Sequence, residues 1–286
     1  MAAETTGQTT LRDENIQRAV TGFALQQYKF KQVCLVQSSS SWKETYFKEG
    51  ATELTASGTR NIKGVSRLAG FPYVEPNWTE ASVRHLKHAG EGVVSWEDAV
   101  TNSIDVMQRT LLRVGRSVAK SVDDAIYTAL IGDADINTAA AVATWDNATV
   151  ADRDPIADIL IGIRDIQEDN YDVQENGWLL LSPKDHTNLL RNSKVINNPS
   201  FKTADVVSNG VVGQIAGLNV VVSNSVPADE ALIIKGQEAA TWKTAAPLQT
   251  AVITDEGIKF TIRAWEVGVT MITNPKAIHR ITNTQS

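Results

Sequence analysis

Cysteine is almost missing from this 286-residue chain, where Cys34 stands alone. A single thiol excludes an intrachain disulfide framework and fits synthesis inside a cell. Within Val33-Cys34-Leu35-Val36 it reads as one more small apolar residue. Histidine is scarce as well, with four in the whole chain, which leaves little material for a metal centre or a histidine-based catalytic site. No apolar run approaches the ~20 residues that a membrane-spanning helix needs. The opening Met1-Ala2-Ala3-Glu4-Thr5 has neither the basic nor the apolar region of a secretory leader. The expectation is a soluble chain with no membrane partner. Positive charge is in deficit, with a formal net charge of −6, which argues against a protein that grips phosphate backbones, though not against one that encloses nucleic acid. Both common phosphate-cradling glycine motifs are absent; Gly210, Gly213 and Gly217 are loosely spaced and no lysine follows to meet a phosphate.

What is present is length, a 42% hydrophobic content sufficient for a sizeable core, and one unusually long helical pattern. Val93-Val94 leads into Ser95-Trp96-Glu97-Asp98, where Ser95 caps a helix start and Asp98 sits at the position that returns the bond. Apolar residues then recur at Val100, Ile104, Met107, Leu111, Val114, Val118, Val122, Ala125 and Ala129. Steps of three and four place them on one stripe of a helix from Ser95 to Ile131. Arg109, Arg113, Arg116, Lys120, Asp123 and Asp124 lie largely off that stripe, as a solvated face would. Such a helix spans roughly 50 Å, a strut for an elongated, flat subunit.

Before it, a moderate helical pattern covers Leu11 to Tyr28, and Ser38-Ser39-Ser40-Ser41 marks a joint. Residues Trp42 to Glu91 carry charges of both signs and are broken by Gly50, Gly58, Gly64, Gly70, Pro72 and Pro76. Thr45 to Val83 reads as an extended, mostly two-stranded excursion with little core of its own. An isolated hairpin is marginal in water, so a neighbouring subunit is its natural support. After the long helix, Asp133–Ala151 reads as a loop or weak hairpin. Asp154-Pro155 opens a second helix with apolar Ile156, Ile159, Leu160, Ile163 and Ile166. Gly177–Leu181 is a buried strand, and Ser182-Pro183 caps a third helix to about Arg191. A loop over Asn192–Gly217 precedes strands at Leu218–Val222, Ala231–Lys235 and Ala240–Thr244. Ile258, Phe260, Ile262 and Ala264 alternate with polar residues after the turn Asp255-Glu256-Gly257, and a final strand covers Ala277–Ile281. Helices and strands mix without regular βαβ alternation, so the class is α+β.

The candidate chemistry is thin. His85 and His88 have the spacing of two imidazoles on one helical face, but Arg84 and Lys87 make the surroundings cationic, and the pair reads as exposed polar residues of the excursion. His186 lies near Ser182 and Asp185, which helix capping explains without a nucleophile elbow. His279 reads as a half-buried strand residue. The carboxylate pairs Glu168-Asp169 and Asp152/Asp154 fall at helix ends. Arg60, Lys63 and Arg67 face Glu44, Glu49 and Glu53, either across one hairpin or from a neighbouring copy. No residue is assigned a catalytic, cofactor-binding or metal-ligating role, no cofactor is expected, and the chain is not read as an enzyme.

The order of elements is more specific than any one of them. Val93–Asp98 opening the long helix, Trp178-Leu179-Leu180-Leu181-Ser182-Pro183-Lys184-Asp185, Gly213–Asn224 with Val226-Pro227, and Asn274-Pro275-Lys276-Ala277-Ile278 follow one another along the chain. This order resembles the major capsid proteins of tailed double-stranded DNA viruses, bacteriophages with the Hong Kong 97-type fold. The resemblance implies an N-terminal arm at 1–37, an extended E-loop at 38–92, a peripheral domain at 93–176 and 244–275 with a spine helix at 95–131, and an axial domain at 177–243 and 276–286. It further implies self-assembly as hexamers and pentamers into an icosahedral shell enclosing packaged double-stranded DNA without sequence-specific binding. Portal, scaffolding and decoration proteins would be further partners, with synthesis and assembly in the host cytoplasm and a final place in the virion. An encapsulin-like compartment has the same fold; a hydrolase or a small-ligand-binding protein are the rivals from other classes.

Overall fold

A computed structural model describes residues 28–49, 65–71, 78–101, 106–192, 195 and 213–286. In chain order the strands and helices are β1 (Leu35–Ser38), β2 (Lys43–Glu49), β3 (Trp78–Arg84), β4 (Leu86–Ser95), α1 (Trp96–Thr101), α2 (Val106–Gly132), β5 (Asn137–Ala140), α3 (Pro155–Glu168), β6 (Gly177–Leu181), α4 (Pro183–Arg191), β7 (Gln214–Ile215), β8 (Leu218–Val222), β9 (Glu230–Lys235), β10 (Ala240–Asp255), β11 (Lys259–Ile272) and β12 (Ile278–Thr282). The helical pattern expected over Leu11–Tyr28 up to Tyr28 itself, the middle of the excursion, residues 102–105 of the expected long helix with Ile104, and most of the Asn192–Gly217 loop lie outside the described residues.

The helix starts follow their local chemistry. The Asp98 N–H donates to Ser95 Oγ (3.1 Å), Ala157 N–H to Asp154 Oδ1 (3.3 Å) and Asp185 N–H to Ser182 Oγ (3.2 Å). Each oxygen satisfies a donor that the helix leaves unpaired, and proline at the first position of α3 and α4 forfeits no bond.

Two sheets meet along α2. One has the order β1-β10-β11-β4, the other β5-β12-β9-β6-β8-β7. The first half of α2 lays Leu111, Val114 and Val118 against Ile262 and Ala264 of the four-stranded sheet. Its second half buries Val122, Ile126, Tyr127 and Leu130 in a core that also takes in Leu180, Leu232 and Ile234 of the six-stranded sheet and Trp242 of the four-stranded one. The helix is long because it braces both sheets. Its approach to the first depends on Gly90 and Gly92 of β4: a Cβ there would sit 2.6 Å from Ser117 Oγ and 2.5 Å from Thr110 Cγ2.

The expected apolar stripe holds from Leu111 to Val122 and then departs from the sequence reading. Val100 is exposed, and the buried line continues through Ile126 and Leu130 rather than Ala125 and Ala129. A change of packing partner from one sheet to the other turns the buried face. Asp123, placed on the solvated face by its spacing, is buried.

Two strands differ from the sequence expectation. Within the stretch read as a loop or weak hairpin, Asn137–Ala140 is a strand, β5, whose partner is not local: it runs parallel to β12 with His279 opposite Asn137. The strand beginning at Ala240 does not end at Thr244; β10 runs on to Asp255 and pairs with β11 over its length, with register shifts between Thr244 and Gln249. Pro247 lies in that stretch. Beyond Thr244, β1 no longer pairs with β10, so a proline without an N–H falls on an edge at a bulge. Among the described residues no helix is long and apolar enough to cross a membrane.

Candidate assembly surfaces

The excursion read from sequence has a paired root. Strands β2 and β3 run antiparallel from Lys43 opposite Arg84 to Glu49 opposite Trp78, as a two-stranded sheet of its own. Neighbouring elements hold that root in place. Glu49 N–H donates to Thr273 O (3.0 Å), His85 N–H to Trp42 O (3.1 Å), and the Tyr171 hydroxyl to Glu49 Oε2 (3.2 Å). Lys48 pairs with Asp133.

Its apolar side chains are not covered in the single chain. Phe47 and Trp78 pack as a tilted pair with ring centroids 6.2 Å apart, yet each is 58% exposed. Trp42, Leu68 and Phe71 are exposed as well. Single exposed apolar residues are ordinary on a protein surface, but five large ones on and beside one two-stranded element suit a contact surface.

A buried carboxylate fixes the root. Glu44 accepts from the Ser39 hydroxyl, lies 3.3 Å from His85 Nε2, and accepts from Lys243 Nζ at 2.9 Å. The Ser39 hydrogen bond first, and then the Lys243 ammonium, hold its carboxyl down at about 2. The joint after β1, the β3–β4 junction and β10 converge on this one side chain. A second cluster surrounds Glu266 on β11. Tyr28 Oη donates to Glu266 Oε2 (2.6 Å) and Lys31 Nζ to Oε1 (2.5 Å). Lys31 also sits 3.6 Å from the Tyr28 ring centroid, a cation–π contact.

The third buried carboxylate joins the residues before β1 to the spine helix. Asp123 Oδ2 accepts from Lys29 N–H (3.0 Å) and Oδ1 from Phe30 N–H (3.2 Å). Burial pushes its pKa up from 3.8 to about 6, against the pull of those two bonds. A carboxyl that is harder to ionise in the fold favours the folded state at low pH. That contribution is full below about 4 and is lost as pH rises to about 6, a change of about 2–3 kcal/mol. Asp123→Asn is expected to remove this slope, read as the difference between variant and parent in urea unfolding at successive pH values.

The candidate residues named from sequence separate clearly in the structure. His85 and His88 are not exposed and not on a helix: both are buried, His85 at the β3–β4 junction and His88 on β4, with His88 Nδ1 2.9 Å from Ser121 Oγ and its ring 6.2 Å from that of Trp242. His279 is wholly rather than half buried, 3.5 Å from Asp165, and burial lowers its pKa. Ser182 and Asp185 bond each other (Oγ to Oδ2, 2.7 Å) and Gln285 Nε2, which is capping and chain-end anchoring. His186 takes no part in those bonds. Asp154 caps α3, and Asp169 Oδ2 accepts from Asn137 Nδ2 (2.7 Å). Of the expected charge facing, Arg60, Lys63 and Glu53 lie outside the described residues, and Glu44 and Glu49 face Lys243 and Tyr171 instead. Cys34 is buried, and burial pushes its thiol up to about 12. Among the described residues no cluster of three His, Cys, Asp or Glu side chains is placed to hold a metal ion.

A sheet-bracing spine, a two-stranded hairpin root with exposed aromatics, and carboxylates that each fasten a segment are parts of a building block. A family model described as phage capsid protein matches residues 50–281. The chain belongs to the phage capsid protein family. The solved structures agree at the level of fold. A virus-like particle protein of Pyrococcus furiosus superposes with a TM-score of 0.66 at 12% identity, covering 94% of this chain and 98% of that one. The capsid of cyanophage P-SCSP1u gives 0.64 at 16% identity, covering 91% and 89%. The mature capsid of bacteriophage PhiM1 gives 0.63 at 16% identity, covering 89% and 86%. No curated protein sequence matches the chain. The α+β, Hong Kong 97-type architecture expected from the order of elements is the one found, and the chain is a structural capsid shell protein.

Proposed function

We propose that copies of this chain join as hexamers and pentamers into a closed icosahedral shell around double-stranded DNA, without reading its sequence. The observation that carries the reading is the anchored hairpin root, where Phe47 and Trp78 pack on each other and yet, with Trp42, Leu68 and Phe71, stay exposed in one subunit. A heterologous contact repeated around a ring covers such a surface on every copy. Residues 1–37 act as an N-terminal arm, 38–92 as the E-loop, 93–176 with 244–275 as the peripheral domain and 177–243 with 276–286 as the axial domain. The four-stranded sheet with the spine helix supports the peripheral unit, and the six-stranded sheet built on β6, β8 and β9 the axial one. Strands also cross those bounds: β4 joins the four-stranded sheet mostly from within 38–92, and β5 joins the six-stranded sheet from within 93–176. Portal, scaffolding and decoration proteins are proposed partners, the host cytoplasm is the proposed site of assembly, and no catalytic step is assigned.

Negative-stain electron microscopy of the purified chain, with light scattering for mass, tests the reading. Closed particles or five- and six-membered rings are expected. A chain that stays monomeric at all concentrations, and also when expressed with the other virion proteins, would overturn it. Particles that form but exclude nuclease-protected DNA would favour the encapsulin-like alternative.

A further inference from the structure

The outer face of the spine helix carries a row of cations with no acidic partner among the described residues. Arg109, Arg113, Arg116 and Lys120 are all exposed. Their spacing of four, three and four residues places them within an arc of about 60°, along about 16 Å of helix axis. Leu111, Val114, Val118 and Val122 occupy the opposite, buried side of the helix. Several cations elsewhere meet carboxylates: Lys31, Lys48, Lys184, Lys235, Lys243, Arg263 and Arg280 each have an acidic partner within ion-pair distance. The chain as a whole is acidic, at −6, so a run of four cations with no acid between them reverses the local sign.

At its far end the row opens on a cavity of about 200 Å³ lined by Lys29, Arg116, Lys120 and the loop Ser223-Asn224-Ser225. Asp123 also lines it, but its two oxygens are engaged by the Lys29 and Phe30 N–H groups. Hydroxyl and amide groups beside three cations suit oxygen-rich anions. Along α2 no large apolar side chain is exposed among the described residues, whereas a docking protein segment would want apolar anchors.

We propose that this stripe is the shell's contact for the phosphate backbone of double-stranded nucleic acid. The inference rests on the shell reading above and adds which face of the subunit turns inward. It also revises what net charge alone suggests: the enclosed duplex is held, weakly and without sequence preference, through about four cations per subunit. Backbone contacts of this kind release counterions, so affinity falls with salt with a logarithmic slope of about −0.9 per phosphate neutralised.

The test is fluorescence anisotropy of a 30-base-pair duplex with the purified full-length chain across 50–200 mM NaCl, using two unrelated sequences. The expected slope is about −3 to −4, close to a hundredfold loss over that range, and equal for both duplexes. The variant Arg109→Gln/Arg113→Gln/Arg116→Gln/Lys120→Gln, altered at exposed positions only, is expected to keep its Tm and lose most of the slope. A variant that binds with the parent's slope overturns the proposal. So does poly-glutamate that competes as well as duplex at equal charge, which would make the partner an acidic protein, or full displacement by millimolar inorganic phosphate, which would make the cavity a small-anion site. Particle formation is scored separately by microscopy: shells without duplex binding would sink the stripe alone, whereas the absence of shells would sink the shell reading.

Discussion

Replacing residues 50–77 by Asn-Gly is expected to leave a folded chain that closes no shells. The geometry permits the excision. Glu49 and Trp78 are directly opposite in the β2–β3 ladder, and a two-residue Asn-Gly turn has the twist that joins such a pair. The bonds that seat the root stay in place: Glu49 to Thr273, Tyr171 to Glu49, Lys48 to Asp133 and His85 to Trp42. The described part of the excised segment, 65–71, is exposed throughout and carries Leu68 and Phe71 bare to solvent. With those bonds kept, the unfolding temperature is expected to change little. Assembly should respond quite differently, because the same removal takes away apolar area that only a neighbouring copy can cover. Unfolding temperature and negative-stain microscopy measure the two effects on one sample. Normal particles from the excised chain would show that the hairpin is not needed for closure.

The second large effect is expected at Glu44. Glu44→Ala should cost about 2–4 kcal/mol, because it leaves the buried His85 and the largely covered Lys243 ammonium without their shared carboxylate. For a chain of this size that is a fall in Tm of about 5–10 °C. The pH dependence has a definite sign. The carboxyl is held near 2 in the fold against 4.5 ordinarily, so its stabilisation is present above about 4.5 and is lost as pH falls towards 2. The gap between parent and variant should therefore be widest near neutrality and close in acid. A gap that stays constant down to pH 2.5 would show that Glu44 acts by packing rather than charge. Pairing the change with Lys243→Met in a double-mutant cycle isolates the ion pair from the His85 and Ser39 contacts.

These two sites differ in how far the sequence disclosed them. The hairpin was legible because glycines and prolines punctuate it, and because a charged, non-periodic stretch has no core to fold around. The three helix starts were legible for the same kind of reason: Ser95, Asp154 and Ser182 act within three residues of themselves. The buried strand β6 and the alternation of β11 are likewise local patterns. The Glu44 cluster was not legible, since its partners come from positions 39, 85 and 243. Proximity in the chain instead sets the acid against the basic stretch Arg60, Lys63 and Arg67. The flanking cations Arg84 and Lys87 point to a polar surface for His85 and His88. Glu44 and Ser121, 41 and 33 residues away, supply the partners that make them buriable.

Local pattern was enough to establish the class, the order of elements, the long amphipathic strut and the two-stranded root of the excursion, all set by interactions along a few turns or a few residues of chain. It took the folded chain to establish that the strut braces two sheets and that β5 finds its partner 142 residues away at β12. The same holds for the turning inward of Asp123 while Arg109, Arg113, Arg116 and Lys120 remain facing out. Periodicity says which side of a helix is apolar. What that side meets, and which charges the meeting covers, depends on segments far along the chain being brought together.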